Sequence, residues 1–156
     1  MSESAADRVR ELVELVVEAL DIGSDVTVEE TEEQITVTVG GEDLGLFIGR
    51  HGQTIEAVQH LAQRVVPRDA NRDAPRRRIV VDAAGYRARR QEALEGQASD
   101  AADDAVRFER PVALDAMSAT ERRIVHEHLR DRGDVETYSE GEEPERHLVV
   151  APLSKN

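Results

Sequence analysis

The sequence predicts an α+β fold in two modules, a larger one first and a small one last, joined by a long helix. Three observations carry that reading. Residues 5–20 repeat apolar side chains at helical steps, and residues 34–39 alternate them at strand steps. Between Phe47 and Ile55 two glycines, Gly49 and Gly52, bracket Arg50 and His51, with apolar residues on both sides. A capped helical pattern followed by two further strand patterns then recurs after residue 117.

Val9, Leu12, Val13, Leu15, Val16, Val17 and Leu20 form the stripe of the first helix, and Gly23 is its expected C-cap. Two strands are expected next, Val26 to Glu29 and Gln34 to Val39, turning through the acidic stretch Glu29 to Glu33. Gly40-Gly41 leads into a short buried helix built on Leu44, Leu46, Phe47 and Ile48. Past the glycines, Ile55, Val58, Leu61 and Val65 recur at three- and four-residue steps and predict a second helix. Pro67 closes it, residues 67–76 read as an exposed loop, and Arg77 to Asp82 reads as a third strand. The first module therefore runs α-β-β-α-α-β.

A polar helical stretch continues from Tyr86 to about Val106, and Arg110 to Leu114 is a short extended segment. Ser118 with Glu121 three residues on is a capping-box pattern. The helix it opens carries Arg122, Ile124, Val125, His126 and Leu129 and is expected to end at Gly133. Val135 to Ser139 and His147 to Ala151 read as strands joined by the turn Glu140-Gly141-Glu142-Glu143-Pro144.

The glycines between helices are the first chemical clue. Glycine admits positive φ and lets the main chain approach a ligand closely. The N–H groups opening the helix beyond Gly52 suit an anion such as a sugar-phosphate backbone. The second clue is Arg122 and His126, one turn apart on one helix face.

Net charge is −13 over 156 residues, which taken whole disfavours a nucleic-acid binder. The distribution restores it. Residues 1–47 hold 13 acids and 2 bases, residues 48–90 hold 4 acids and 10 arginines, and residues 91–156 hold 16 acids and 8 bases. The positive block begins at the glycine turn, so one face can steer a polyanion. All bases but Lys155 are arginine, the better residue for bidentate phosphate contact and for stacking on bases. With 3% aromatic residues and no Trp, the cores must be built from Val, Leu, Ile and Ala. The absence of cysteine removes disulfides and zinc-thiolate sites. Residues 1–20 are amphipathic and charged, unlike a signal peptide or a membrane span, so a cytoplasmic protein is expected. His126 and His128 stand two apart and face different ways, unlike paired metal ligands, and no nucleophile or Walker-type motif occurs. No enzyme, cofactor, metal or small-molecule substrate is expected.

The run Ile48-Gly49-Arg50-His51-Gly52-Gln53-Thr54-Ile55 resembles the Ile-Gly-x-x-Gly-x-x-Ile of KH domains, in the type II element order. The Arg122-x-x-x-His126 pair resembles the R-three-H signature, with Glu121-Arg122-Arg123-Ile124-Val125-His126 and Ser139 to Pro144, then Arg146, around it. Together with Asp82 to Arg90, which is similar to the family's joining stretch, these place residues 5–152 as similar to the Jag/KhpB (SpoIIIJ-associated) family of bacterial RNA-binding proteins. No counterpart of the extra N-terminal domain of many members is expected, and Thr120 stands where an aromatic residue is common.

The resemblance implies a KH domain at 1–84, a connecting helix at 85–106 and an R-three-H domain at 107–156. It implies single-stranded RNA as partner, held by Ile48, Gly49, Arg50, His51, Gly52, Gln53 and Arg78 in the first domain and by Arg122 and His126 in the second. It also implies a regulatory role in cell-envelope growth and division, and pairing with a small stand-alone KH protein or with itself. The alternative is a protein–protein adaptor that keeps the KH fold without binding RNA, which the acidic charge favours.

Overall fold

A computed structural model describes residues 4–66 and 76–154, in two units, Met1–Arg87 and Ala88–Asn156. The loop expected at 67–76 lies outside the described residues except for Arg76.

In the first unit, helix α1 (Ala5–Ala19) is opened by Ser4, whose hydroxyl accepts from the Asp7 N–H while the Asp7 carboxylate accepts from the Ser4 N–H. Its exit corrects the sequence reading. The C-cap is Leu20, and Asp21 takes the left-handed conformation (φ 53°) expected of Gly23. The Ile22 N–H bonds the Val17 carbonyl and the Asp21 N–H that of Glu18, which is a Schellman close. Aspartate, short and polar, tolerates left-handed φ better than most residues.

Strands β1 (Ser24–Glu30), β2 (Gln34–Gly41) and β3 (Arg78–Ala83) form a sheet in the order β1-β2-β3. β1 runs antiparallel to β2, and β3 runs parallel to it, Ile79 opposite Ile35 and Val81 opposite Val37. Ile35, Val37 and Val39 all point to the buried face, as their alternation requires. Between the sheet's second and third strands come α2 (Gly45–Ile48), a 3-10 turn (Arg50–Gly52) and α3 (Gln53–Val65). Val9, Val13 and Val17 of α1, Phe47 of α2 and Ile55, Val58 and Ala62 of α3 close one core over the sheet.

Two expected apolar faces are only half realised. Leu44 and Phe47 are buried, but Leu46 is 65% exposed. On α3, Ala62 completes the stripe, while Leu61 and Val65 face outward. At 3.6 residues per turn Leu61 points about 120° away from Ile55, whereas Ala62 returns almost beneath it. The helix stops at Val66, which is extended (ψ 120°), as the residue before a proline must be.

In the second unit, a sheet of β4 (Val112–Ala113), β5 (Val135–Glu140) and β6 (His147–Pro152) runs antiparallel in the order β4-β6-β5. Central β6 buries Leu148 to Ala151 without alternation, because both its faces are covered. Helix α4 (Tyr86–Phe108), a connector on the sequence reading, does more than join two modules. From Leu94 onward it is a wall of this second core: Leu94, Ala98, Ala101, Ala102 and Ala105 pack with Val125 and Leu129 of α5 (Ala119–Leu129), Met117, Leu148 and Val150. Alanine lets the helix lie close to its neighbours, and hydropathy reads such a face as polar because only its small residues are turned inward. α5 ends at Leu129 with Arg130 as C-cap, four residues before the expected Gly133.

Candidate nucleic-acid interface

The glycine loop has the geometry its sequence demands. Gly49 (φ 75°) and Gly52 (φ 77°) both lie where side chains are strained, and His51 between them is also left-handed (φ 55°). A Cβ at Gly52 would sit 2.7 Å from the Tyr86 hydroxyl oxygen, and one at Gly49 would strike Thr54. Glycine is therefore fixed at both positions by conformation and by space. Arg50, His51 and Gln53 are exposed, Ile48 and Gly49 are half-buried, and Gly52 is buried against Tyr86. No side chain caps α3 at Gly52, and the N–H groups of Gly52 and Gln53 are taken by the carbonyls of Gly49 and Arg50 in the preceding 3-10 turn. The loop thus brings together six of the predicted site residues, Ile48 to Gln53. Arg78, the exposed first residue of β3, belongs to the same unit but stands apart in sequence, opposite Gln34.

α3 and β3 are bridged by side chains, a role the sequence does not show for Arg87, which reads there as an extension of the basic face or a solvated helix surface, or for Gln59. The Gln59 Oε1 accepts from the Val81 N–H at 3.0 Å and from Arg87 Nη2 at 2.8 Å, and Arg87 Nε donates to the Val81 carbonyl oxygen at 2.8 Å. Nothing in the spacing of Gln59 and Arg87 signals this; it follows from where the strand edge falls.

In the second unit an open groove of about 430 Å³ is lined by Ala119, Arg122, Arg123 and His126 of α5, Thr137, Tyr138 and Ser139 of β5, and Arg146 and Leu148. Three arginines and a histidine line it, and no carboxylate does. A cationic groove on so acidic a unit is the place where an anion is least repelled. Arg122 and His126 both line it, but their situations differ. Arg122 is buried, donating to the Met117 carbonyl oxygen at 2.6 Å and to Glu143 Oε1 at 2.7 Å. His126 is exposed, its Nδ1 2.5 Å from the Thr137 hydroxyl oxygen. His128 turns elsewhere, to Ser99 at 2.9 Å, as the two-residue spacing requires.

Tyr138, 46% exposed, also borders the groove, but alternation along β5 turns its side chain to the face opposite Thr137 and Ser139. Arg123 and Arg146 flank it as further cations; Arg146 Nη1 donates to the Gly141 carbonyl oxygen at 2.6 Å. The Ser118 hydroxyl accepts from the Glu121 N–H at 3.3 Å, as the capping pattern predicts, but the Glu121 carboxylate is bonded to Arg90 Nε at 2.7 Å. No helix among the described residues is long and apolar enough to cross a membrane.

Comparison with known proteins places both units in known families. Residues 7–79 match the KH domain of KhpA and KhpB, and residues 92–152 match the R-three-H domain. Neither is an enzyme family. The chain is 36% identical over 156 residues to the RNA-binding protein KhpB of Clostridium symbiosum, covering 99% of this chain and 69% of that protein. It is 33% identical over 141 residues to the RNA-binding protein KhpB of Bacillus subtilis, covering 89% and 66%. It is also 33% identical to that of Lactiplantibacillus plantarum, of which it spans 46%. The R-three-H match takes in α4 from residue 92, in keeping with the alanine face that this helix gives to the second core. With a KH domain built around Gly49 and Gly52 and an R-three-H domain built around Arg122 and His126, the chain belongs to the KhpB family.

Proposed function

We propose that the chain binds single-stranded RNA through two contacts, the loop at 49–52 and the cationic groove of the second unit. The observation that carries the reading is the loop: two cationic or protonatable side chains stand exposed between positive-φ glycines at an uncapped helix start. The relatives' names, which describe RNA-binding proteins, support it. The stretch Ile48, Gly49, Gly52 and Gln53 lets a short strand approach the main chain closely, and Arg50 and His51 present charge to its phosphates, with Arg78 adding a cation on the same unit. In the second groove His126, Arg123 and Arg146 meet a phosphate or base edge. Arg122 shapes that groove from within.

From the family resemblance we infer a cytoplasmic, regulatory role in cell-envelope growth and division. Exposed Leu15, Leu46 and Leu61 on the first unit's helices favour pairing with a small KH protein or with a second copy, and they keep the adaptor reading in view. Fluorescence anisotropy with a labelled single strand and with the same sequence as a duplex tests the RNA reading. Preferential binding of the single strand supports it, and equal or no binding contradicts it.

A further inference from the structure

The Gln59–Arg87 bridge described above has an electrostatic peculiarity. Arg77, Arg90, Arg122 and Arg132 each meet a carboxylate. Arg87, also part-buried, meets only the neutral oxygens of Val81 and Gln59. Asp82 is near in sequence, but its carboxylate oxygen is taken by the main-chain N–H groups of Ala83 and Arg87, at 2.8 and 3.2 Å. A half-buried guanidinium without a counter-charge costs desolvation that a carboxylate partner would offset, so the site is left short of one acceptor.

The missing acceptor has a defined place. β3 is an edge strand, and its ladder turns the Arg78 N–H and the Ala84 N–H towards the β2 side, so Val81 faces outward. Gln59 and Arg87 occupy both main-chain groups of Val81 on that open edge. A base meeting that edge of β3 therefore finds no free main chain at Val81, but it can meet the third guanidinium nitrogen, Nη1, which has no partner among the described residues. The preceding residue, Tyr86, underlies Gly52, which puts Arg87 next in chain to the residue beneath the loop.

We propose that Arg87 is a base-reading residue of the first unit, donating from Nη1 to a carbonyl oxygen of the base, with Gln59 as the residue that positions it. This rests on the reading of the 49–52 loop as an RNA-backbone site. Bases bearing a ring carbonyl, such as uracil and guanine, are favoured over adenine, which has none. A guanidinium held flat by two hydrogen bonds loses little freedom on making a third.

The test uses the full chain and short labelled oligouridine and oligoadenosine strands, comparing the ratio of their affinities in wild type, Arg87→Ala and Arg50→Ala. Wild type binds oligouridine more tightly by about tenfold, as one charge-assisted hydrogen bond allows. Arg87→Ala lowers that ratio at least fivefold, while Arg50→Ala weakens both strands and leaves the ratio intact. Loss of stability in Arg87→Ala lowers both affinities together, so the ratio separates reading from folding; Arg87→Lys, which keeps the charge but cannot span Val81 and Gln59, also loses the preference. An unchanged ratio in Arg87→Ala, or no preference in wild type, overturns this proposal alone. Absence of RNA binding by wild type overturns it together with the proposed function.

Discussion

Arg122 donates to Glu143 at 2.7 Å and so ties α5 to the turn between β5 and β6. The same guanidinium holds the Met117 carbonyl oxygen at the entrance to α5. Its signature partner, His126, is exposed one turn further on. The two residues of the motif thus differ in place: one is buried in the groove wall and the other is exposed on it.

Arg122→Ala is expected to destabilise the second unit by about 2 kcal/mol, since it strands a main-chain acceptor and a carboxylate that solvent partly screens. Arg146→Ala, whose side chain bonds only the Gly141 carbonyl oxygen among the described residues, costs about 1 kcal/mol or less but weakens RNA binding directly. Thermal melts set beside anisotropy titrations separate the two. A stable Arg122→Ala protein with lost RNA affinity would make Arg122 a ligand contact instead.

The left-handed His51 carries a conformational cost that other residues would change. His51→Val, β-branched at φ 55°, should destabilise the first unit by about 1–2 kcal/mol, and His51→Asn by almost nothing. Urea unfolding of the two variants measures the difference. Equal stabilities would mean that the loop relaxes away from positive φ.

Two exposed carboxylates set the acid limb of stability. Hydrogen bonds from the Arg132 fork, at 2.8 and 2.9 Å, hold the Asp134 carboxyl below its usual value of 3.8, and the Ser4 side chain and N–H do the same for Asp7. A depressed folded-state pKa gives stability that is complete above 3.8 and is lost as pH falls through the lower folded value. Asp134→Asn should therefore be less stable than wild type at neutral pH, the gap narrowing below 3.8. A gap that persisted unchanged into strong acid would show that the carboxylate's charge is not its source.

If the backbone of RNA is held chiefly through its phosphates, log K should fall with log salt by roughly 0.7 per phosphate contacted. A few contacts from Arg50, His51 and the second groove predict a slope of about −2 to −4, reduced by about 0.7 in Arg146→Ala. A slope near zero would favour the adaptor reading.

The element order, the glycine loop and the Ser118 cap were legible because they rest on local rules. The alternation at Ile35, Val37 and Val39, the glycine pair and the Ser118 cap each have one structural solution. What the sequence hid depends on tertiary placement. The inward face of α4 is alanine, so hydropathy there reads as a solvated linker. Ala62 displaces Leu61 from the core because angle, not size, decides which face is buried. Arg122 and Arg146 look alike in sequence, and only the position of Glu143 distinguishes the buried cation from the one at the groove. The contacts of Arg87 with Val81 and Gln59 follow from a strand edge that no local pattern announces.

The central claim is that the exposed loop between Gly49 and Gly52 holds RNA by charge. Reversing that charge with Arg50→Asp and His51→Asp, in the full chain, tests it most directly, because both side chains are exposed. The account predicts a circular-dichroism spectrum like that of wild type, a melting temperature within a few degrees of it, and loss of single-stranded RNA binding by at least a hundredfold, about 2.7 kcal/mol. Wild-type affinity in the folded double variant would contradict it.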